Sequence, residues 1–273
     1  MGKSGDKILK IMIKFKFELV PEEGVVKPYM EPYGYIFRAI LMDWLKKLKP
    51  ELVHELHSYN KIRPYSIQLS YRRKEIVFYL NIFDPMIAEV LVSDLIKKKE
   101  KTFEVSNQTY LLKKVLFEDY SLTTLFKQGK PVKKFKIKFL EPTYFSTTRS
   151  KNVVRLPIPE LIFSNLSNLW NSLSHEEAYI EEEVFLDWVN RSLYLSSLDI
   201  KTDAKDMGES VPAVGFIGWA NFEISKNEKN YSKLIDTLCK FGELSNMGSN
   251  RTAALGRIRY KPIEYFNFRK IQH

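Results

Sequence analysis

Hydrophobic and polar residues alternate one by one near the start of the chain. In residues 10–19, isoleucine, phenylalanine and leucine take every second position, and mostly lysine or glutamate stands between them. A period of two is typical of a strand that has one face in the core. In residues 33–48 the apolar positions recur every three or four residues instead. That spacing predicts an amphipathic helix.

The next segments continue this mixture of periods. Pro50 opens a short second helical segment that carries His54 and His57. Alternating residues 67–71 and 76–82, separated by a polar turn, predict a hairpin. Asp84 followed by Pro85 is a favourable helix start, so a helix is expected over 87–95. Residues 102–117 contain one or two further strands. The resulting order, β-α-β-β-α-β, is the ferredoxin-like arrangement.

The same order then begins again. Residues 134–142 repeat the alternation of lysine and apolar residues closed by proline that is seen in residues 14–21. The predicted elements that follow are a helix over 158–173, a helical piece after the acidic residues 176–183, strands near 192–201 and 211–224, a helix over 231–241 and a strand over 257–262. We therefore predict an α+β protein of two tandem ferredoxin-like domains, residues 1–129 and 130–273, joined near Gly129.

Charge and composition narrow the class of protein. The chain has 43 lysines and arginines against 33 acidic residues, a net charge of +10, which indicates a polyanionic partner. The lysine-rich residues 97–99 and 133–138 fit either solvated faces or RNA tracks. No apolar run approaches the ~20 residues that cross a bilayer, and no signal peptide is apparent, so we expect a cytoplasmic protein without a membrane. The single cysteine, Cys239, excludes an internal disulfide and a Cys-only zinc site.

A loop rich in glycine and arginine precedes the last strand. Its candidate binding residues are Gly248, Ser249, Asn250, Arg251, Thr252, Gly256 and Arg257. Backbone N–H groups and guanidinium groups in such a loop can bind phosphates. A tight turn with solvated arginines explains the same residues. Gly242 is expected to end the preceding helix.

Three segments, in this order, resemble the CRISPR-associated repeat-processing endoribonucleases of the RAMP superfamily (the Cas-six family). They are Leu19-Val20-Pro21-Glu22 followed by Lys27-Pro28-Tyr29, then Gly215-Phe216-Ile217-Gly218-Trp219, then the loop from Gly248 to Gly256. The resemblance covers nearly the whole chain. The loop departs from the family pattern, because Ala254 and Asn246 stand where glycines are usual.

The resemblance implies cleavage of CRISPR precursor RNA within its repeats, without metal or cofactor. The ribose 2′-hydroxyl attacks the adjacent phosphate and leaves a 2′,3′-cyclic phosphate and a 5′-hydroxyl. His57 occupies the place of the family's histidine, and Arg63 best matches its basic partner, with Lys61 as the second choice. His54, one turn earlier, is the rival for the imidazole role. A zinc site at His54 and His57 lacks a third ligand at a recognisable spacing.

Two other functions explain the same sequence. One is a non-catalytic RAMP subunit that binds guide RNA inside an effector complex. The other is a general single-strand RNA-binding protein without enzymatic activity. Beside CRISPR repeat RNA, the partners we consider are subunits of such a complex and a second copy of the chain in a homodimer.

Overall fold

The structure is a computed structural model, and the part of the chain that it describes is interrupted by short gaps. It describes residues 11–26, 33–57, 62–72, 74–97, 101–105, 107–146, 152–174, 178–208, 211–226 and 228–267, without the side chains of Ile11 and His57. Within these ranges, no helix is both long enough and apolar enough to span a membrane.

The first half contains the predicted elements in the predicted order. They are β1 (Ile11–Pro21), α1 (Tyr33–Leu48), α2 (Pro50–His57), β2 (Tyr65–Arg72), β3 (Glu75–Ile82), α3 (Pro85–Lys97), β4 (Thr102–Val105) and β5 (Gln108–Ser121). The five strands form an antiparallel sheet in the order β2-β3-β1-β5-β4. On the central strand β1, Phe15 and Phe17 are fully buried, while Lys14 and Lys16 lie on the opposite face. The half-buried strand expected from the alternation is confirmed.

The second half repeats the arrangement. After the short helix α4 (Leu122–Lys127), which follows β5, its elements are β6 (Val132–Thr143), β7 (Phe145–Ser146), β8 (Val153–Val154), α5 (Pro159–Leu173), α6 (Glu182–Ser192), β9 (Leu193–Lys205), β10 (Ala213–Ile224), α7 (Lys229–Ser245) and β11 (Ile258–Tyr265). The main sheet has the order β11-β6-β10-β9, and β7 pairs with β8 apart from it. The short elements α4, β7 and β8 were not predicted from the sequence.

The two sheets share one topology. In each, the first strand of the half lies between the third and the last, and the second strand lies beyond the third. β4 adds only an extra edge to the first sheet. Two tandem ferredoxin-like units in an α+β protein, as expected from the sequence, are therefore confirmed. The exact boundary between residues 129 and 130 stays a prediction.

The prediction that Gly242 ends the last long helix is wrong, because α7 continues to Ser245. A Cβ at Gly242 would lie 2.9 Å from Ile258 Cδ1 and 3.3 Å from Leu166 Cδ2. The glycine therefore lets α7 pack closely against β11 and α5. Its role is close packing inside the helix rather than termination.

Each half has its own hydrophobic core, and the glycine-rich loop joins them. Ala254 of the loop belongs to the core of the first half. α1 approaches the loop so closely that a Cβ at Gly34 would lie 2.1 Å from the carbonyl oxygen of Ala253. Phe83 and Phe241 also meet across the halves, with ring centroids 5.7 Å apart.

Replacing Gly34 by alanine is expected to lower the melting temperature, because backbone would have to move to admit the new Cβ. Overpacking of this kind costs roughly 1–3 kcal/mol. Thermal unfolding followed by circular dichroism measures the effect. The control is Gly242→Ala, whose Cβ meets only the ends of flexible side chains and should cost less. An unchanged melting temperature for Gly34→Ala would contradict the close approach of α1 and the loop.

Candidate functional site

The short helix α2 carries the two candidate histidines. It is held on the core by Leu52 and Leu56, which are buried, and it exposes His54 to solvent. His57 is the last residue of α2. The His57 side chain and the whole of Lys61 lie outside the residues that the structure describes.

Arg63 links this helix to the start of β2. Its side chain is half-buried, and Nε donates to the carbonyl oxygen of Leu56 at 3.5 Å. A cavity of about 180 Å³ at this corner is lined by Glu55, Arg63 and Asp84 among others. Asp84 also caps α3, accepting from the backbone N–H of Met86 at 2.8 Å, which confirms the predicted helix start. The guanidinium of Arg63 therefore lies next to the end of α2, the helix that carries His57.

The glycine-rich loop takes a left-handed backbone conformation at five positions. The φ angles are 59° at Asn246, 79° at Gly248, 55° at Asn250, 60° at Ala254 and 68° at Gly256. Asn246 and Ala254 are the two residues that replace glycines of the family pattern, and both adopt the conformation that glycine favours. For Ala254 this costs roughly 1–2 kcal/mol. The loop keeps a glycine-like path without glycine at these two positions.

Backbone hydrogen bonds fix the loop to the second half. Ser249 N donates to Tyr144 O at 2.9 Å, and Gly256 N donates to Pro142 O at 3.1 Å. Met247 N closes the loop by donating to Gly256 O at 2.8 Å. A Cβ at Gly256 would lie only 1.7 Å from Met247 O, so this closure requires glycine.

The same loop is also bonded to β2 of the first half. Asn246 Nδ2 donates to Ile67 O at 2.8 Å, and its Oδ1 accepts from Gln68 Nε2 at 2.8 Å. Arg257 Nη1 donates to Leu69 O at 2.8 Å. Sequence reasoning missed Gln68 and Ser66, which are 6% and 0% exposed. The sequence feature that could have identified them is the uncharged polar side chains on that face of β2.

Arg251 is the most buried cation of the site, with 7% of its surface exposed. Nη1 donates to Tyr65 O at 2.8 Å and to Ser245 O at 3.5 Å, and Nη2 donates to Arg63 O. Burial lowers the pKa of the guanidinium to about 10, so it stays charged at neutral pH. Ser245 is the last residue of α7, where the partial negative charge of the helix favours a cation. Arg251 therefore connects α7 to the segment that carries Arg63.

The predicted loop residues differ in exposure. Asn250 is exposed, Ser249 and Arg257 are half-buried, and the others, Gly248, Arg251, Thr252 and Gly256, are buried. Thr252 is hydrogen-bonded to the buried Tyr65 side chain, whose pKa is raised by burial. Direct contact of each of these residues with RNA stays a prediction.

Metal-ligating side chains do not cluster in the described residues. No group of three or more histidine, cysteine, aspartate or glutamate side chains there is arranged to hold a metal ion. Cys239 is buried in the core of the second half, and burial raises the pKa of its thiol.

Comparison by sequence finds one family. The family of the CRISPR-associated endoribonuclease Cas6 matches residues 137–258, which begin within β6 and include α7 and the glycine-rich loop. A comparison with curated proteins finds no match.

Comparison by structure finds Cas6 proteins over almost the whole chain. A Cas6 product complex is 18% identical with a TM-score of 0.77, over 92% of this chain and 100% of that one. Thermus thermophilus Cas6 is 18% identical with a TM-score of 0.71, over 92% and 98%. The product of a Cas6-related gene from Pyrococcus furiosus is 15% identical with a TM-score of 0.55, over 92% and 98%. The resemblance predicted from the sequence is thereby confirmed: the chain has the fold of Cas6 proteins, and its residues 137–258 match the family of the CRISPR-associated endoribonuclease Cas6.

Proposed function

We propose that this chain is a metal-independent endoribonuclease that cuts CRISPR precursor RNA within its repeats. The observation that carries the proposal is the match of residues 137–258 to the Cas6 endoribonuclease family. The Cas6 fold of the chain supports it. Its structural neighbours include Cas6 in product and substrate-mimic complexes, and a RAMP protein that binds different RNA substrates.

The proposed reaction is a transesterification followed by release of the two RNA pieces. The ribose 2′-hydroxyl loses its proton and attacks the adjacent phosphorus, and the bond to the 5′-oxygen of the next nucleotide breaks. The leaving oxygen takes up a proton, so the products carry a 2′,3′-cyclic phosphate and a 5′-hydroxyl. An imidazole can transfer these protons near neutral pH, and a cation can stabilise the charge on the phosphorane.

We assign the imidazole role to His57 and the cation role to Arg63. His57 ends α2, and the Arg63 side chain donates to the carbonyl of Leu56, the residue before it. The two residues are therefore close in the fold as well as in the sequence. Lys61 is the alternative cation, and His54, which is exposed on the same helix, is the alternative imidazole.

The glycine-rich loop is proposed to contact the RNA backbone at its exposed tip, Ser249 and Asn250, and through Arg257. Gly248, Thr252 and Gly256 would hold that tip in place. For Arg251 we propose a positioning role, because its guanidinium lies on the carbonyl oxygens of Arg63 and Tyr65 rather than at the surface. It would fix the segment that presents Arg63 to the phosphate.

The remaining assignments follow the same family. We propose CRISPR repeat RNA as the partner, with effector-complex subunits or a second copy of the chain as further partners, and a cytoplasmic location. The domain boundary is proposed between residues 129 and 130.

His57→Ala is expected to slow single-turnover cleavage by roughly 10²–10⁴-fold while leaving repeat affinity nearly intact, because a proton-transfer group would be lost. The matched control is His54→Ala, which should cost much less. The pH–rate profile of the unmodified protein should show an inflection, and His57→Ala should remove it. A larger rate defect in His54→Ala than in His57→Ala would assign the imidazole role to His54, one helical turn earlier. No defect in either variant would contradict imidazole catalysis.

Cleavage of a repeat RNA is expected to proceed equally fast in excess EDTA and in magnesium, since the proposed groups need no metal-bound water. Denaturing gel electrophoresis of the labelled RNA measures both rates. A discrete product in EDTA separates this proposal from a non-catalytic RAMP subunit and from a general RNA-binding protein. Activity that disappears with chelator and returns with magnesium or manganese would show that a metal ion carries the reaction.

Arg251→Ala is expected to slow single-turnover cleavage by up to roughly 100-fold, because small displacements of a catalytic group are costly. The salt dependence of RNA binding should stay unchanged. If Arg251 pairs with a phosphate instead, the slope of log affinity against log salt should fall by about one unit.

Two further variants make the Arg251 test specific. Arg251→Lys keeps the charge but not the planar fork that reaches two carbonyls, so its rate should fall between those of wild type and Arg251→Ala. Asn250→Ala, at the exposed tip, should weaken binding without slowing the bound complex. Rates are compared below the melting temperature of each variant, so that unfolding does not enter.

A further inference from the structure

The face of the second sheet that is turned away from its core carries a row of cations. Side chains directly opposite each other on antiparallel strands share a face. Lys138 of β6 pairs with Trp219 of β10 on one side and with Arg259 of β11 on the other, and Lys136 pairs with Lys261. The next residues along each strand, such as Ile137 and Tyr260, are buried. We call Lys136, Lys138, Trp219, Arg259 and Lys261 the basic sheet face.

An aromatic ring lies within this row of cations. Trp219 is partly exposed, and the Lys136 ammonium lies 4.2 Å from its ring centroid. The other three tryptophans, Trp44, Trp170 and Trp188, are 7%, 0% and 1% exposed. The tryptophan ring of this face is thus the one that an external partner can reach. Because the lysine stem is flexible, Lys136 can turn to a phosphate and leave the ring to a base.

The cations of the basic sheet face differ from the neighbouring lysines Lys133 and Lys134, which form salt bridges with glutamates. At one end of the sheet, Lys133 lies 2.8 Å from Glu264, and Lys134 lies 3.3 Å from Glu223. In the described part of the chain, no carboxylate forms a salt bridge with Lys136, Lys138, Arg259 or Lys261. Asp199 of β9, opposite Trp219, is an acidic residue on this face. Lys136 and Lys138 lie next to the ring, and Arg259 and Lys261 lie one strand further away, on β11.

The basic sheet face continues into a cleft between the two halves. Arg259 lines this cleft of about 370 Å³ together with Lys14, Lys240 and Arg257, and one carboxylate, that of Glu243, lies among these four cations. Arg257 belongs to the glycine-rich loop and donates a hydrogen bond to the carbonyl oxygen of Leu69 in β2. Cations therefore run from the sheet face, through the cleft, to the loop that is joined to the candidate catalytic segment.

We propose that the basic sheet face binds single-stranded RNA, with Trp219 stacking on a base and the lysines and arginine contacting phosphates. Flat sheets with an aromatic ring and surrounding cations suit unpaired bases, because every base has a face for stacking. The proposal rests on the proposed function for the identity of the substrate: the bound strand would be an unpaired part of the repeat RNA away from the cut. It also assigns Lys136 and Lys138 to an RNA track rather than a solvated face.

Intrinsic fluorescence tests the proposal directly. A short uridine homopolymer is expected to quench the fluorescence of the wild-type protein, and a blunt RNA duplex to quench it much less. Trp219→Ala should bind the homopolymer about 5- to 150-fold more weakly, as expected for one lost stacking contact. Trp219→Phe should restore most of the affinity while removing the quenching. Circular dichroism and the melting temperature verify that each variant is folded.

A matched pair of lysine variants tests the phosphate contacts. Lys138→Gln should reduce the slope of log affinity against log salt by up to about one unit, and Lys133→Gln, whose lysine is paired with Glu264, should leave it unchanged.

The outcomes separate this proposal from the proposed function. Quenching by the homopolymer without cleavage of repeat RNA would support the sheet face and contradict the endoribonuclease. Cleavage with wild-type affinity in Trp219→Ala would overturn the sheet face alone. Quenching by polyglutamate as strong as that by RNA would assign the face to an acidic protein partner and would also overturn the proposal.

Discussion

A positive charge buried between the start of β2 and the end of α7 is the interaction on which the arrangement of the candidate site depends. Removing a guanidinium from water costs several kcal/mol, and at Arg251 this is offset by the carbonyl oxygens of Arg63, Tyr65 and Ser245. One of these belongs to the end of α7, where the helix favours a cation. Losing Arg251 would leave buried carbonyls unpaired, which is costly in itself. The end of α7, the loop and the start of β2 are therefore one structural unit.

Most of the fold could be predicted because hydrophobic residues recur at clear strand and helix spacings along the chain. β1 and β6 alternate lysine with apolar residues, and α1 has the predicted limits, Tyr33–Leu48. The misses have a common cause. The glycine at position 242 is needed for the close contact of α7 with Leu166 and Ile258, not to end the helix. The helix α4, which was not predicted, is six residues long. Neither a contact between distant segments nor a helix of under two turns leaves a strong periodic pattern.

The candidate site was only partly predictable. The position of the loop followed from its glycines and from the family resemblance. The choice of His57 and Arg63 came from the resemblance alone and stays a prediction. The direction of Arg251 did not, because an arginine in a loop can pair with a phosphate or with buried carbonyls equally well. Ser66 and Gln68 held a usable signal. Their face of β2 lacks the lysines that mark the outer face of β1, and the structure shows that the loop and α7 cover it.

Attack of the 2′-hydroxyl on the adjacent phosphate is the step that defines the proposed reaction. The most direct measurement is the chemistry of the product ends, by mass spectrometry of a repeat RNA after incubation with the protein. Attack by the 2′-hydroxyl predicts a 2′,3′-cyclic phosphate on the upstream piece and a 5′-hydroxyl on the downstream piece. It also predicts that a single 2′-deoxy substitution at the cut site abolishes cleavage. A 3′-hydroxyl with a 5′-phosphate, or cleavage of the 2′-deoxy RNA, would contradict it.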